Sequence, residues 1–450
     1  MGNLAWSIAR QAQMVQDTYR RCEESTISHA TGRLAVYTVS FLDIGESLLK
    51  KLFAQIAEAN VHKHGKYILM RCRHCIFVTL TVSPFSVAAC MAKFRPQDLS
   101  NSAWAFSLLG LRHEPFLTEM KKQLTQRIDQ YLRKGNRNIM TTFKSQELTN
   151  ALWALATLNF PCNDLITDIT PFIIHQCSDP KTGRMTSASI ARVFKRQELG
   201  NLAWTCAVFA DFPPPLIRLI YLGILGVGEK PDPDYLRRVF GDDGTTRSIL
   251  MSITYLQIAL DLADASNGLS LPADFPDRWS PKGDSMPRGM DVLENDFELS
   301  LKTSKIQRSV SSAFSRIGFE HKEEHVIGMD TLAYEHGIHM APVPVEVLSL
   351  DIANVDLRIG VEVDGPAHFI SQITTVSEGM GWSKLINGKM EYQFVWNDKD
   401  QQINGPTALK KRLLEQLGWK IVNIPFWEWY ALENDPEKED EYCRSVLSRV

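Results

Sequence analysis

Asp351, Glu362 and Asp364 are the residues whose types and spacing most readily do chemistry. Glu362 and Asp364 lie two apart at the end of an apolar run, so on a strand both point to one face. Asp351 closes an earlier apolar run and can join them from the neighbouring strand, with Glu324 as a candidate fourth acid. Three acids on one face at a strand end can hold Mg²⁺ for phosphodiester hydrolysis. Asp351 and Glu362 would then be the metal ligands, and Asp364 or His368 would handle the proton. The same acids can instead hold loops through backbone hydrogen bonds, with Asp364-Gly365 simply making a turn. No lysine lies beside the acids in sequence, so Lys384 or Lys410 would have to reach in from a distance.

The elements that must position these side chains follow from periodicity. Ile306, Val310, Phe314 and Ile317 have helical spacing and predict a helix over 304–317. Strands are expected at 325–327, 347–352 and 357–363. A helix follows over 407–417, a strand at 420–424 and a short helix at 427–432. Helix, strands, helix, strand is the order of the PD-(D/E)xK nuclease core.

Two stretches are more specific. Glu362-Val363-Asp364-Gly365-Pro366-Ala367-His368-Phe369 follows a strand. Later, a helix bearing Lys410-Lys411-Arg412 leads to Ile424-Pro425-Phe426-Trp427-Glu428-Trp429. Together they resemble the RAP domain, over about residues 300–432. The insertions at 329–346 and 370–403 carry no readable role. The resemblance implies a restriction-endonuclease-like α/β module acting on organellar RNA. Asp364 stands where the cutting motif places lysine. The variant is more similar to the very-short-patch-repair type, in which acids and a histidine do the work, and His368 suits that role. Lys410, Lys411 and Arg412 form a candidate RNA-backbone cluster, although such a run is also an ordinary solvated helix face.

The first half contains a repeat. Phe94-Arg95-Pro96-Gln97-Asp98-Leu99-Ser100-Asn101-Ser102-Ala103-Trp104 aligns without gaps with Phe143 to Trp153 and with Phe194 to Trp204. Gly2-Asn3-Leu4-Ala5-Trp6 matches its end, so the chain reads as starting inside a repeat, with any targeting segment upstream. Such a period predicts stacked helical pairs. The repeat Leu and the apolar residues four and seven positions later make a core stripe. The repeat Gln, Asn and Trp make a second stripe on the opposite side. It can pack between repeats, with Gln and Asn satisfying buried backbone groups, or it can read and stack RNA bases. The packing reading is preferred here because helices in such stacks are buried on two sides. Arg95, Lys144, Lys195 and Arg196 sit at helix entrances, where they can reach phosphate. The Gln-Asp/Glu-Leu-x-Asn-x-x-Trp-Ala pattern resembles the helical repeats that precede RAP domains, relatives of octotricopeptide and FAST-kinase-like proteins.

Charge divides the chain in the same place. Residues 1–230 carry 27 Lys and Arg against 17 Asp and Glu; residues 231–450 carry 22 against 35. The basic half is the better phosphate-facing candidate. Eight scattered cysteines suggest a reducing compartment, and the lone pair Cys72/Cys75 is weak support for zinc. No stretch is long and apolar enough to span a bilayer.

The expected architecture is therefore α plus α/β: an N-terminal α-solenoid over 1–227, an acidic turn-rich linker over 228–300 with one helix capping the solenoid, and a RAP region over 301–450 with its core at about 347–432. The expected partner is single-stranded organellar RNA, in a mitochondrion or plastid. No cofactor is expected, save Mg²⁺ if the module cuts. The alternatives are a metal-dependent endoribonuclease and a protein-interaction solenoid without RNA.

Overall fold

The computed structural model describes residues 94–134, 143–226, 243–271, 304–327, 348–372 and 402–450, a few single positions excepted, and a small hairpin within 385–390. The repeat copy ending at Trp6, the Cys72/Cys75 pair, Lys384 and the 329–346 insertion lie outside the described residues.

Helices α1 (Pro96–Leu108), α3 (Ser145–Thr157) and α6 (Arg196–Phe209) begin where the repeat places them. The repeat acid explains why. Glu147 accepts from the Lys144 amide at 2.9 Å, Glu198 from the Lys195 amide at 2.9 Å and Asp98 from the Arg95 amide at 3.3 Å. Each satisfies an amide at the helix entrance and places negative charge at the positive end of the helix. The repeat leucines Leu99, Leu148 and Leu199 are buried, with Ala103, Leu152 and Ala203 one turn on. Each buried leucine contributes about 1.5–3 kcal/mol.

A second set alternates with these helices: α2 (Glu114–Lys134), α4 (Leu165–Cys177), the short α5 (Ser187–Ala191) and α7 (Pro214–Leu225). Helix α1 packs on α3 and α3 on α6, while α2 packs on α4 and α4 on α7. Helix α8 (Asp243–Leu262) packs on α6. A Cβ on Gly200 would lie 3.1 Å from Ile249, so the two helices approach closely there.

Leu250, Ser252 and Tyr255 follow Leu199, Asn201 and Trp204 by the same 51 residues that separate Trp153 from Trp204. Helix α8 lies at the repeat spacing, but it starts at Asp243, four residues earlier in that register than α6, and of the repeat Gln, acid, Leu, Asn and Trp it keeps only the leucine.

The C-terminal module starts with α9 (Lys305–Arg316). Its sheet contains β2 (Lys322–Val326), β3 (Ser349–Asn354), β4 (Ile359–Asp364) and β9 (Lys420–Pro425) in that spatial order. The first pairings are antiparallel; β4 and β9 are parallel. Helix α9 and the last helix, α12 (Pro436–Leu447), share one core with Ile352, Val361, Val422 and Ile424. The crossover helix α10 (Gly405–Gln416) belongs to the other core. Its Leu409, Leu413 and Leu414 form one continuous cluster with Leu152 and Val208 of the repeats.

Helix α10 lies across the carboxyl ends of the repeat helices. A Cβ on Gly405 would overlap the carbonyl oxygen of Ala156 at the end of α3. Seven residues on, the Arg412 guanidinium donates to the carbonyls of Ala207 and Val208 at the end of α6. That rise along a helix is about 10 Å, one helix-to-helix spacing. A second seam lies beside it. Strand β1 (Leu111–Arg112), just after α1, pairs in parallel with β5 (Phe369–Gln372), which pairs with β8 (Gln402–Ile403). The described hairpin comprises β6 (Leu385–Ile386) and β7 (Lys389–Met390).

Candidate nucleic-acid interface and acid pocket

The acids do come together. The register that pairs Ile352 with Val361 leaves Asp351 beside Glu362, and Asp364 follows on the same face of β4. Glu362 is 6% exposed and Asp364 1%. Parallel pairing sets Asn423 of β9 beside Glu362, and its amide donates to Asp364 at 2.7 Å. The Val363 amide donates to Asp351 at 2.7 Å. Glu324 accepts from Gln307 of α9 at 2.7 Å, and Gln307 also donates to the Asp351 carbonyl.

The lysine missing from the strand arrives from α10. Lys410 Nζ lies 2.6 Å from Glu362 Oε2. The other oxygen, Oε1, is buried with no hydrogen-bond partner among the described residues. Burial pushes the Glu362 carboxyl up to about 8; Asp351 and Asp364 add to the rise, and Lys410 opposes it. Burial likewise raises Asp364, with Asp351 adding, against His368 and Asn423. Burial pulls the Lys410 ammonium down, but Glu362 and Asp351 outweigh it, and the net direction is up.

His368 stands at the mouth. Its Nδ1 is 3.0 Å from the Thr407 hydroxyl and 3.4 Å from Asp364, and its side chain is 44% exposed. Asn404, the amino-terminal cap of α10, holds this loop by donating to the carbonyls of Ala367 and His368. Lys411 donates to Asn423 at 2.9 Å. The Lys-Lys-Arg run is thus committed to internal contacts: Lys410 to Glu362, Lys411 to Asn423 and Arg412 to the ends of the repeats. Lys410 and Arg412 are held inside the molecule, while the Lys411 side chain stays 35% exposed.

These donors do not fit Mg²⁺. The Val363 amide takes an Asp351 oxygen, Lys410 takes one of Glu362, and Asn423 and His368 occupy Asp364. No three His, Cys, Asp or Glu side chains among the described residues converge as a metal site.

On the repeats, Gln97, Gln146 and Gln197 are exposed, while Asn101, Asn150 and Asn201 are half-buried. Trp104, Trp153 and Trp204 are half-buried too, and the Trp153 and Trp204 rings lie 6.0 Å apart at 39°. The packing reading is therefore right about the contact from one tryptophan to the next repeat. It is wrong about the glutamines, which face solvent instead of buried backbone. Gln, Asn and Trp form a surface ladder over parallel helices. Lys144 and Lys195 are exposed at its entrances, and Arg95 is exposed but paired with Asp98 at 2.9 Å. Arg196 is a correction: at 6% exposure it is buried. It lies three residues before Leu199, only about 60° from the core stripe, so α6 turns it inward.

Sequence reasoning missed Gln307, Thr407, Asn423 and Tyr255. Two carried a signal. Gln307 sits three and seven residues before the buried Val310 and Phe314, on the inward face of α9. Asn423 interrupts the apolar run Ile421-Val422-Ile424.

A helical region with a small mixed sheet near its carboxyl end, bearing paired acids and a lysine, defines the class. The RAP domain family model matches residues 361–446, and the chain carries a RAP domain there. A relative described as "RAP domain-containing protein, chloroplastic", from Oryza sativa subsp. japonica, is 23% identical over 275 residues. The match covers 60% of this chain, and the chain spans about a third of that relative (33%). Among the described residues, no helix is long and apolar enough to cross a membrane.

Proposed function

We propose that this chain is an RNA-binding protein of an organelle, supporting the processing, stability or ribosomal assembly of organellar RNA. The observation that carries the reading is the surface ladder: exposed Gln97, Gln146 and Gln197 beside half-exposed tryptophans on parallel helices. Amide side chains can pair with base edges, and indole faces can stack unpaired bases. The helical pairs act as turns of a solenoid, and the sheet is a nuclease-like core. The RAP domain supports an RNA role, and the name of the rice relative makes a plastid at least as suitable as a mitochondrion. Crosslinking RNA to the protein in cells tests the proposal. Organellar transcripts should be enriched over cytosolic ones; equal recovery of both contradicts it.

A second reading, an endoribonuclease, is favoured by one observation: Lys410 beside Glu362 restores the acid and lysine pairing absent from the strand. The occupied donors weigh against it. The protein-interaction solenoid does not account for three exposed glutamines in register.

A further inference from the structure

A cluster of aromatic rings follows the strand ends that carry Asp364 and Pro425, and the ladder does not use it. Strands β4 and β9 end together, with Asp364 opposite Pro425. Beyond β4 the chain turns through His368 into Phe369. Beyond β9 it enters the short helix α11 (Phe426–Tyr430). The Phe369 and Trp427 rings meet edge to face at 4.4 Å. Phe426 lies 5.1 Å from Trp427 and 6.3 Å from both Phe369 and Tyr430.

Core closure does not account for these rings. Trp429 from the same helix is the one buried in the module's core, edge-on to Tyr442. Phe369, Phe426 and Trp427 remain half-exposed and Tyr430 is 46% exposed. Along the rim runs a chain of polar groups: Lys411 to Asn423, Asn423 to Asp364, and Asp364 to His368.

We propose that Phe369, Phe426, Trp427 and Tyr430 form a stacking platform for one unpaired RNA base, with His368 and Lys411 at the rim meeting its edge and phosphate. The proposal rests on the RNA-binding reading and adds a second contact site, separate from the repeat ladder. Charge complementarity selects the occupant. Ring faces accept any base, the 44% exposed His368 ring can meet its edge, and the Lys411 ammonium, on a side chain 35% exposed, stands at the same rim for phosphate. An apolar peptide would use the rings and leave that rim without a task.

The test is photocrosslinking of the full chain to single-stranded RNA carrying 5-iodouridine, with the crosslinked peptides mapped by mass spectrometry. Crosslinks should include Phe369 or the 426–430 segment as well as the repeat helices. RNA that binds but crosslinks only within the repeats overturns the platform and leaves the RNA reading standing. RNA that does not bind at all overturns both. The combined Trp427→Leu and Tyr430→Ala substitutions, folded as judged by circular dichroism, should weaken single-strand binding about tenfold. Unchanged affinity overturns the platform.

Discussion

The Arg412 guanidinium donates to the carbonyl of Val208 at 2.8 Å, so a side chain of the RAP domain caps the carboxyl end of a repeat helix. A cation there satisfies otherwise unpartnered carbonyls and meets the negative end of the helix. The domain and the repeats share one apolar core across this contact.

Arg412→Ala should therefore destabilise the repeats as well as the domain, by about 1.5–3 kcal/mol as for other hydrogen bonds to charged groups. Denaturant unfolding followed separately by far-ultraviolet circular dichroism and tryptophan fluorescence checks this. Both probes should shift together; an unshifted transition would remove the cap from the account. Gly405→Ala should be worse, because its methyl group would overlap backbone at Ala156.

The Glu362 carboxyl gives a pH signature. Its ordinary value is 4.5 and the fold raises it to about 8. The folded state thus holds this proton more tightly than the unfolded chain. The stability it contributes is full below about pH 4.5 and is lost as pH rises towards 8. Glu362→Gln should remove that slope. Wild type should lose up to a few kcal/mol relative to the variant between pH 5 and pH 8, read from urea midpoints at each pH. Parallel curves for the two proteins would refute the buried, proton-retaining carboxyl.

Much of this was legible in the sequence. The repeat fixed three helix starts, because the residues that cap a helix lie within four positions of one another. The order of elements in the RAP domain was also readable. Its helices and strands came within two or three residues, because apolar alternation and helical spacing are local signals. Three things were not local. Lys410 meets Glu362 across 48 residues, and no spacing rule connects them. Strand β1 has two residues in a loop and exists only because β5 lies beside it. Helix α12 carries four acids in its twelve residues and only a thin apolar stripe, with Cys443 and Val446 buried, so helical spacing alone does not mark it.

Trp153 should have two separable roles. It is half-buried and stacked near Trp204, so Trp153→Ala should cost about 1–3 kcal/mol, less than loss of a fully buried aromatic side chain. If the ladder binds RNA, the same variant should lose about tenfold in affinity while still folded. Thermal melting and fluorescence anisotropy measured on one preparation check both. Stability lost with affinity intact would make the tryptophans purely structural.

Cleavage should not occur. Purified chain incubated with RNA in Mg²⁺ or Mn²⁺ should leave it intact, because the Val363 amide, Lys410, Asn423 and His368 already take oxygens of all three acids. Cleavage abolished by both Asp351→Ala and Glu362→Ala, each still folded, would install the endoribonuclease reading.

The central claim is that single-stranded RNA lies along the repeat ladder. The most direct measurement is the affinity of the full chain for a single strand and for the duplex of the same sequence, in wild type and in Gln146→Ala/Gln197→Ala/Trp204→Ala, across a salt series. The account predicts a preference for the single strand, affinity falling steeply with salt, and a loss of tenfold or more in the folded triple variant. Equal affinity for both forms, or a triple variant that binds like wild type, would contradict it.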